Sequence, residues 1–142
     1  MSKTVRLKVI TPSKRLFDED VDMVVVRGTE GDMGVLPGCE NRVAALGYGA
    51  LRAFGGGGEM KPMAVLGGFV EILSDTVTVL SDAAEWADEI DASRAEAAKL
   101  RAERRLQKAE DGVDIQRAEL ALRRALVRIE VSSYPLIKDR RS

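Results

Sequence analysis

A small β-sandwich followed by an antiparallel two-helix hairpin is the fold that this sequence predicts, and three observations predict it. Glycine is confined almost wholly to the first part: 12 of the 13 glycines precede residue 80, and only Gly112 follows. Up to residue 80, apolar and polar residues alternate in short runs bounded by turn residues, the mark of half-buried strands. Beyond it, alanines recur at spacings of three and four, the mark of amphipathic helices. The division falls at residues 1–84 for the sandwich and 85–142 for the hairpin with a short tail.

The strands follow in order. Val5, Leu7 and Val9 alternate with Arg6, Lys8 and Ile10 until Thr11-Pro12-Ser13 interrupts. Val21–Arg27 is rich in β-branched residues and stops at Gly28; Gly31, Gly34 and Leu36-Pro37-Gly38 punctuate what comes next. Phe54 leads into Gly55–Gly58 and a new strand from Glu59, a hairpin with a glycine tip. Ala64–Leu66, then Gly67-Gly68, then Phe69–Ile72 and Thr76–Leu80 complete a set of about eight to ten short strands.

The helices come next. Asp91 is placed to cap a first helix running to about Ala109, with Ala95, Ala98, Ala102, Leu106 and Ala109 as its stripe. Glu110–Asp114 breaks it, with Gly112 as the helix-ending residue and Asp114 as the second cap. Ile115, Ala118, Leu122, Ala125 and Ile129 form the second stripe, and Pro135 ends it. A seam of alanines is close but thin, since each buried methyl contributes roughly 0.8 kcal/mol. The hairpin is therefore the marginal, movable element.

Composition excludes several function classes. The 142 residues carry 22 Lys+Arg and 23 Asp+Glu, a net charge of −1, which argues against bulk electrostatic binding of nucleic acid. There is no histidine, hence no His-based triad or His-ligated zinc. The single Cys39 forms no intramolecular disulfide and has no basic neighbour to activate it. No apolar run is long enough to cross a membrane as a helix. The glycine tip lacks the Gly-Lys-Ser/Thr of a phosphate loop. Asp18, Glu19, Asp20 and Asp22 lack metal-ligand spacing and read as a solvated loop. No catalytic residue and no metal ligand is nominated.

Eight arginines lie between residues 94 and 128. At 100° per residue, Arg94 and Arg101 fall within about 20° of each other, and Arg117, Arg124 and Arg128 within about 40°. Two readings stand on spacing alone. One is a solvated face balanced by Glu96, Glu103 and Glu119. The other is a pair of ridges converging on an anion, for which the guanidinium fork is suited.

Four segments in this order resemble the bacterial F-type ATP synthase epsilon subunit family: Gly28–Gly38, Gly67–Glu71, Val77–Asp82 and Glu89–Ala95. The resemblance spans roughly residues 3–131. It implies a sandwich plus a two-helix hairpin, in agreement with the periodicity. It also implies a non-catalytic rotor subunit, peripheral on the cytoplasmic face of the cell membrane. Its partners would be the gamma subunit, the c ring and, with the hairpin extended, the alpha/beta catalytic head. The family's Ile/Leu-Asp-x-x-Arg-Ala motif is here Ile90-Asp91-Ala92-Ser93-Arg94-Ala95. The resemblance implies that this motif, with Glu85, Arg101, Arg117, Arg124 and Arg128, holds ATP as a regulatory ligand. Ile90 and Asp91 would lie on the adenine side and Arg124 and Arg128 at the phosphates. It also gives Glu30 and Asp32 to a rotor-contact loop. After Leu36-Pro37-Gly38 the family continues His-x-Pro, whereas this chain has Cys39-Glu40-Asn41. The competing expectation is a β-domain adaptor whose hairpin binds protein, unrelated to an ATPase.

Overall fold

Two long antiparallel strands organise the sandwich. The computed structural model describes residues 4–109 and 111–134. In it β5 (Arg42–Phe54) and β6 (Met60–Leu73) pair along nearly their whole length. The glycine tip between them forms a single 3-10 turn, Gly56–Gly58, with Gly57 and Gly58 at φ of 82° and 83°. Around this pair lie β1 (Val5–Ile10), β2 (Arg15–Val21), β3 (Met23–Gly28), β4 (Gly31–Val35), β7 (Thr76–Leu80) and β8 (Ala84–Trp86).

The hydrogen-bonded order is β2-β1-β7-β6-β5-β3-β4, with β8 on the other part of β6. Phe69–Leu73 of β6 pairs with β7, while Met63–Val65 pairs with β8. The long hairpin thus serves both layers, and its two halves have different neighbours. Inward-facing residues from all the layers form one core, including Leu7 and Val9, Val24 and Val26, Leu51, Met63, Val70, Val77 and Val79. Phe17 and Trp86 close one side of it edge to face, with centroids 5.3 Å apart.

The strands are eight, yet they are not all short. The expected break between Leu66 and Phe69 is no break. Gly67 and Gly68 sit inside β6 with φ of 78° and 114°, conformations that L side chains rarely adopt. A Cβ on Gly68 would lie 2.0 Å from the Leu80 carbonyl oxygen, so close approach of β7 also demands glycine there. Of the acidic cluster, Asp18, Glu19 and Asp20 are likewise strand and not loop, while Asp22 lies in the bend between β2 and β3. Asp18 and Asp20 lie on the edge strand β2 and pair across to Arg6 on β1, at 2.7 and 3.4 Å, with Arg15 also 3.0 Å from Asp18. Hydrogen bonding to the Arg6 guanidinium holds the Asp18 carboxyl below its ordinary value. Charge along this edge also discourages pairing with another chain.

Helix α1 spans Ala92–Lys108, and Asp91 caps it as expected, its carboxylate accepting from the Arg94 N–H at 3.1 Å. Helix α2 spans Gly112–Ser133, and here the expectation is corrected. Asp111 is the N-cap, accepting from the Asp114 N–H at 2.8 Å. Gly112 is the first helical residue, not the end of the preceding helix, and Asp114 lies in the first turn, where a carboxylate favours the helix dipole. The pattern Asp-x-x-Asp offers two capping residues, and the earlier one adds a turn to the helix. Glu110 and the stop expected at Pro135 lie outside the described residues.

Burial along β6 shows where α2 sits. From Phe69 to Leu73 the strand alternates exposed and buried residues, but from Pro62 to Gly67 it is buried throughout. A strand buried on both faces must be covered on both. Met63 and Val65 enter the sandwich core, while Ala64 and Leu66 pack with Ala50 of β5 against Val127 and Val131 of α2. Strand β8 carries the sheet through Trp86, so a division after residue 84 falls inside that strand.

Gly68→Ala is expected to destabilise the sandwich by at least about 2 kcal/mol in denaturant unfolding followed by Trp86 fluorescence, from backbone strain and overlap with β7. Gly56→Ala, at a position with open space around it, is expected to stay within about 1 kcal/mol of the parent.

Candidate functional site

The site forms where the hairpin meets the sandwich, so its geometry follows from how each helix is held. Helix α1 reaches the rest of the molecule chiefly through α2; its only buried residues are Ala95 and Ala102. Helix α2 answers with Ala118 and Ala125, and these four alanines allow close helix approach. On another face α2 buries Val127 and Val131, with Tyr134 partly buried beside them, against Ala50, Ala64 and Leu66. That second face, at spacings of four and three, was not read from the sequence. The signal was present in Val127-x-x-x-Val131-x-x-Tyr134, but the stripe Ile115–Ile129 drew the assignment to the helix–helix contact.

Between the root of α1, the end of β8 and α2 lies a cleft of about 330 Å³. Glu85, Ile90, Asp91, Arg94, Ala95, Arg101 and Arg128 all line it, joined by Glu89, Ala98 and Ala125. The structure therefore brings together seven of the nine residues expected to meet a ligand. It does not bring the other two. Arg117 lines a separate cavity at the hairpin tip with Arg104, Arg105 and Lys108, and Arg124 is exposed on α2 outside the cleft.

Within the cleft the charges are arranged unevenly. Arg128 Nε donates to Glu85 Oε1 at 2.5 Å, tying α2 to β8. Both side chains are about one-third exposed, so the pair is only partly screened by solvent. Arg94 and Arg101 are exposed and have no carboxylate within 4 Å among the described residues. One oxygen of Asp91 is engaged as the α1 cap. Ile90 packs into the small apolar cluster beneath α2 and gives the cleft an apolar surface. An apolar surface from Ile90 and the guanidinium groups of Arg94, Arg101 and Arg128 in one cleft suit an amphipathic anion of moderate size. The volume is within the range of small-ligand sites. Among the described residues no group of His, Cys, Asp or Glu is placed to hold a metal ion.

The β3–β4 strand pair and its turn carry the other expected contact residues. Glu30 is exposed at its tip. Asp32 accepts from Arg27 Nε at 2.5 Å and lies 3.6 Å from Arg52 Nη2. Farther along the same layer, Val43, Phe69, Leu73 and Leu80 leave large apolar side chains exposed on one outward face. Phe69 and Leu80 are direct cross-strand partners there.

A sandwich with a hairpin docked on one face, an arginine-rimmed cleft between them and an apolar outer face has the surfaces of a binding module. The chain belongs to the ATP synthase delta/epsilon family: the family's beta-sandwich domain matches residues 4–87 and its long alpha-helix domain matches residues 88–133. Among curated relatives, the ATP synthase epsilon chain of Bacillus velezensis is 49% identical over 92% of this chain and 98% of the relative. That of Desulforamulus reducens is 46% identical over 93% and 99%. A chain of the Euglena gracilis mitochondrial ATP synthase superposes with a TM-score of 0.80 at 26% identity, over 87% of this chain and 78% of that one. A chain from the central stalk and c-ring of the Tetrahymena thermophila mitochondrial ATP synthase shares the fold, with a TM-score of 0.66 at 13% identity over 93% and 98%.

Ala118→Leu is expected to force the helices apart and cost about 1–3 kcal/mol of hairpin stability. Circular dichroism should show helical signal melting earlier, while Trp86 fluorescence reports an unchanged sandwich transition.

Proposed function

We propose that this chain is a non-catalytic epsilon subunit of the central stalk of an F-type ATP synthase, whose hairpin is a switch held folded down by ATP in the cleft. The observation that carries the ligand reading is the convergence of Arg94, Arg101 and Arg128 on one cleft floored by Ile90. Arg94 in the first turn of α1, Arg101 in its third and Arg128 near the end of α2 meet only while the two helices lie side by side, and Glu85 and Ile90 join them only while α2 is docked on the sandwich. A ligand touching all three favours that state. At 100 times its dissociation constant it contributes about 2.7 kcal/mol to the form it binds, comparable to a thin apolar contact. Arg117 and Arg124 lie outside the cleft, so their part in this reading is secondary.

The sandwich supplies the permanent contacts. Its outward apolar face of Val43, Phe69, Leu73 and Leu80 is a surface of the kind that docks a protein, and gamma is the partner the family offers. Glu30 at the β3–β4 turn is the carboxylate free to meet the c ring, because Asp32 is engaged by Arg27 and Arg52. When the hairpin extends, the basic residues at its tip face the alpha/beta catalytic head and impede hydrolysis. The subunit sits peripherally, through the complex, on the cytoplasmic side of the membrane; none of the described helices is long and apolar enough to cross it.

Isothermal titration of ATP into the full chain tests the ligand. Arg101→Ala is expected to weaken binding at least tenfold, or about 1.4 kcal/mol, and Arg104→Ala, on the tip cavity, much less. Equal small effects would return the arginines to a solvated face.

A truncation that keeps β8 and ends at residue 90 is expected to raise ATP hydrolysis by the assembled complex while leaving rotary coupling largely intact. Unchanged hydrolysis at every ATP concentration would remove the inhibitory role.

A further inference from the structure

Away from the cleft, a second set of charges joins the hairpin to the sandwich. Arg27 on β3 donates through Nε to Asp32 on β4 and places Nη2 3.8 Å from Glu130 Oε2 near the end of α2. Tyr134 Oη donates to the same Glu130 oxygen at 2.9 Å. Arg52 on β5 lies 3.6 Å from the other Asp32 oxygen. Backbone space is made for this arrangement: a Cβ on Gly49 would lie 2.5 Å from both Cβ and Cγ of Arg27. Gly49 has no positive φ to require glycine, so making room for Arg27 is the physical reason for it.

We propose that Arg27 is an electrostatic latch that holds the end of α2 on the sandwich independently of any ligand in the cleft, and that Asp32 sets its strength by orienting the guanidinium. Each half-exposed ion pair alone contributes little, but a guanidinium fixed on one side by a close carboxylate loses less freedom in meeting a second. The latch couples the start of β4 to the helical hairpin, since Asp32 lies on β4 just past the β3–β4 turn and Glu130 on α2. A partner that drew Asp32 away from Arg27 would loosen α2 without touching it. The latch rests on the hairpin opening separately from the sandwich, as proposed above, and not on ATP.

Hydrogen exchange of the full chain, without nucleotide and without other subunits, tests it. Glu130→Gln and Asp32→Asn are each expected to raise exchange in the second half of α2 about three- to tenfold, with β5 and β6 unchanged. The double variant should exceed the larger single effect very little, because both act through Arg27. Asp18→Asn, which removes the ion pairs with Arg6 and Arg15 on the β1–β2 edge, should leave α2 unaltered. No change in α2 on Glu130→Gln, additive effects in the double variant, or equal acceleration of the sandwich strands would each overturn the latch. An α2 that exchanges as slowly as β6 in the parent chain would overturn the separately opening hairpin as well, whereas failure of the latch alone leaves the ATP reading standing.

Discussion

Val127 and Val131, pressed on Ala50, Ala64 and Leu66, are the apolar contact on which the arrangement of the two domains depends. Burying a valine contributes about 1.5–3 kcal/mol, so two of them on a patch of small residues make a contact that local opening can break. The cleft, the Arg128–Glu85 pair and the Arg27–Glu130 contact all exist only while that patch is covered. The sandwich does not share this dependence. Its core is continuous through all the layers and contains the largest fully buried side chains except Val131.

Polar contacts then decide what the thin apolar contact leaves undecided. On one side of α2, Arg128 reaches β8; near its end, Glu130 and Tyr134 reach the β3–β4–β5 side. An anion in the cleft would add to the first set by meeting Arg94 and Arg101, which have no carboxylate of their own among the described residues. The two sets lie on different faces of α2, both near its C-terminal end. On the reading proposed above, a subunit built this way responds to a small molecule on one face and to a contact on the sandwich on the other, with modest free energies at each.

Much of this was legible in the sequence, for identifiable reasons. Strand alternation in Val5–Val9 and Thr76–Leu80 survives because each strand has one face in the core and one outside. Asp91 was readable as a cap because it precedes a clear alanine stripe. The continuity of β6 through Gly67-Gly68 was not, since paired glycines signal a turn as readily as a bulge accommodating β7. Nor was Asp111 as the cap of α2, because Gly112 mimics a helix end and Asp114 is an equally good cap in composition. For the site, helical spacing placed Arg94 and Arg101 on one face correctly, but it could not tell that Arg128 points into the cleft while Arg124, four residues earlier, stays outside. Arg124 and Arg128 differ by only about 40° in phase, which says nothing of where along the helix axis the cleft lies; docking of the last turns of α2 by Val127 and Val131 sets that.

On the reading proposed above, the hairpin is held to a stable sandwich by a contact weak enough for a ligand to govern. A distance distribution between spin labels on Cys39 and on a cysteine introduced at exposed Gln107 tests this most directly in the full chain. Without ATP the distribution should contain a second, displaced population, and saturating ATP should collapse it to the single narrow distance of the docked hairpin. One unchanging narrow distance, with and without ATP, would contradict it.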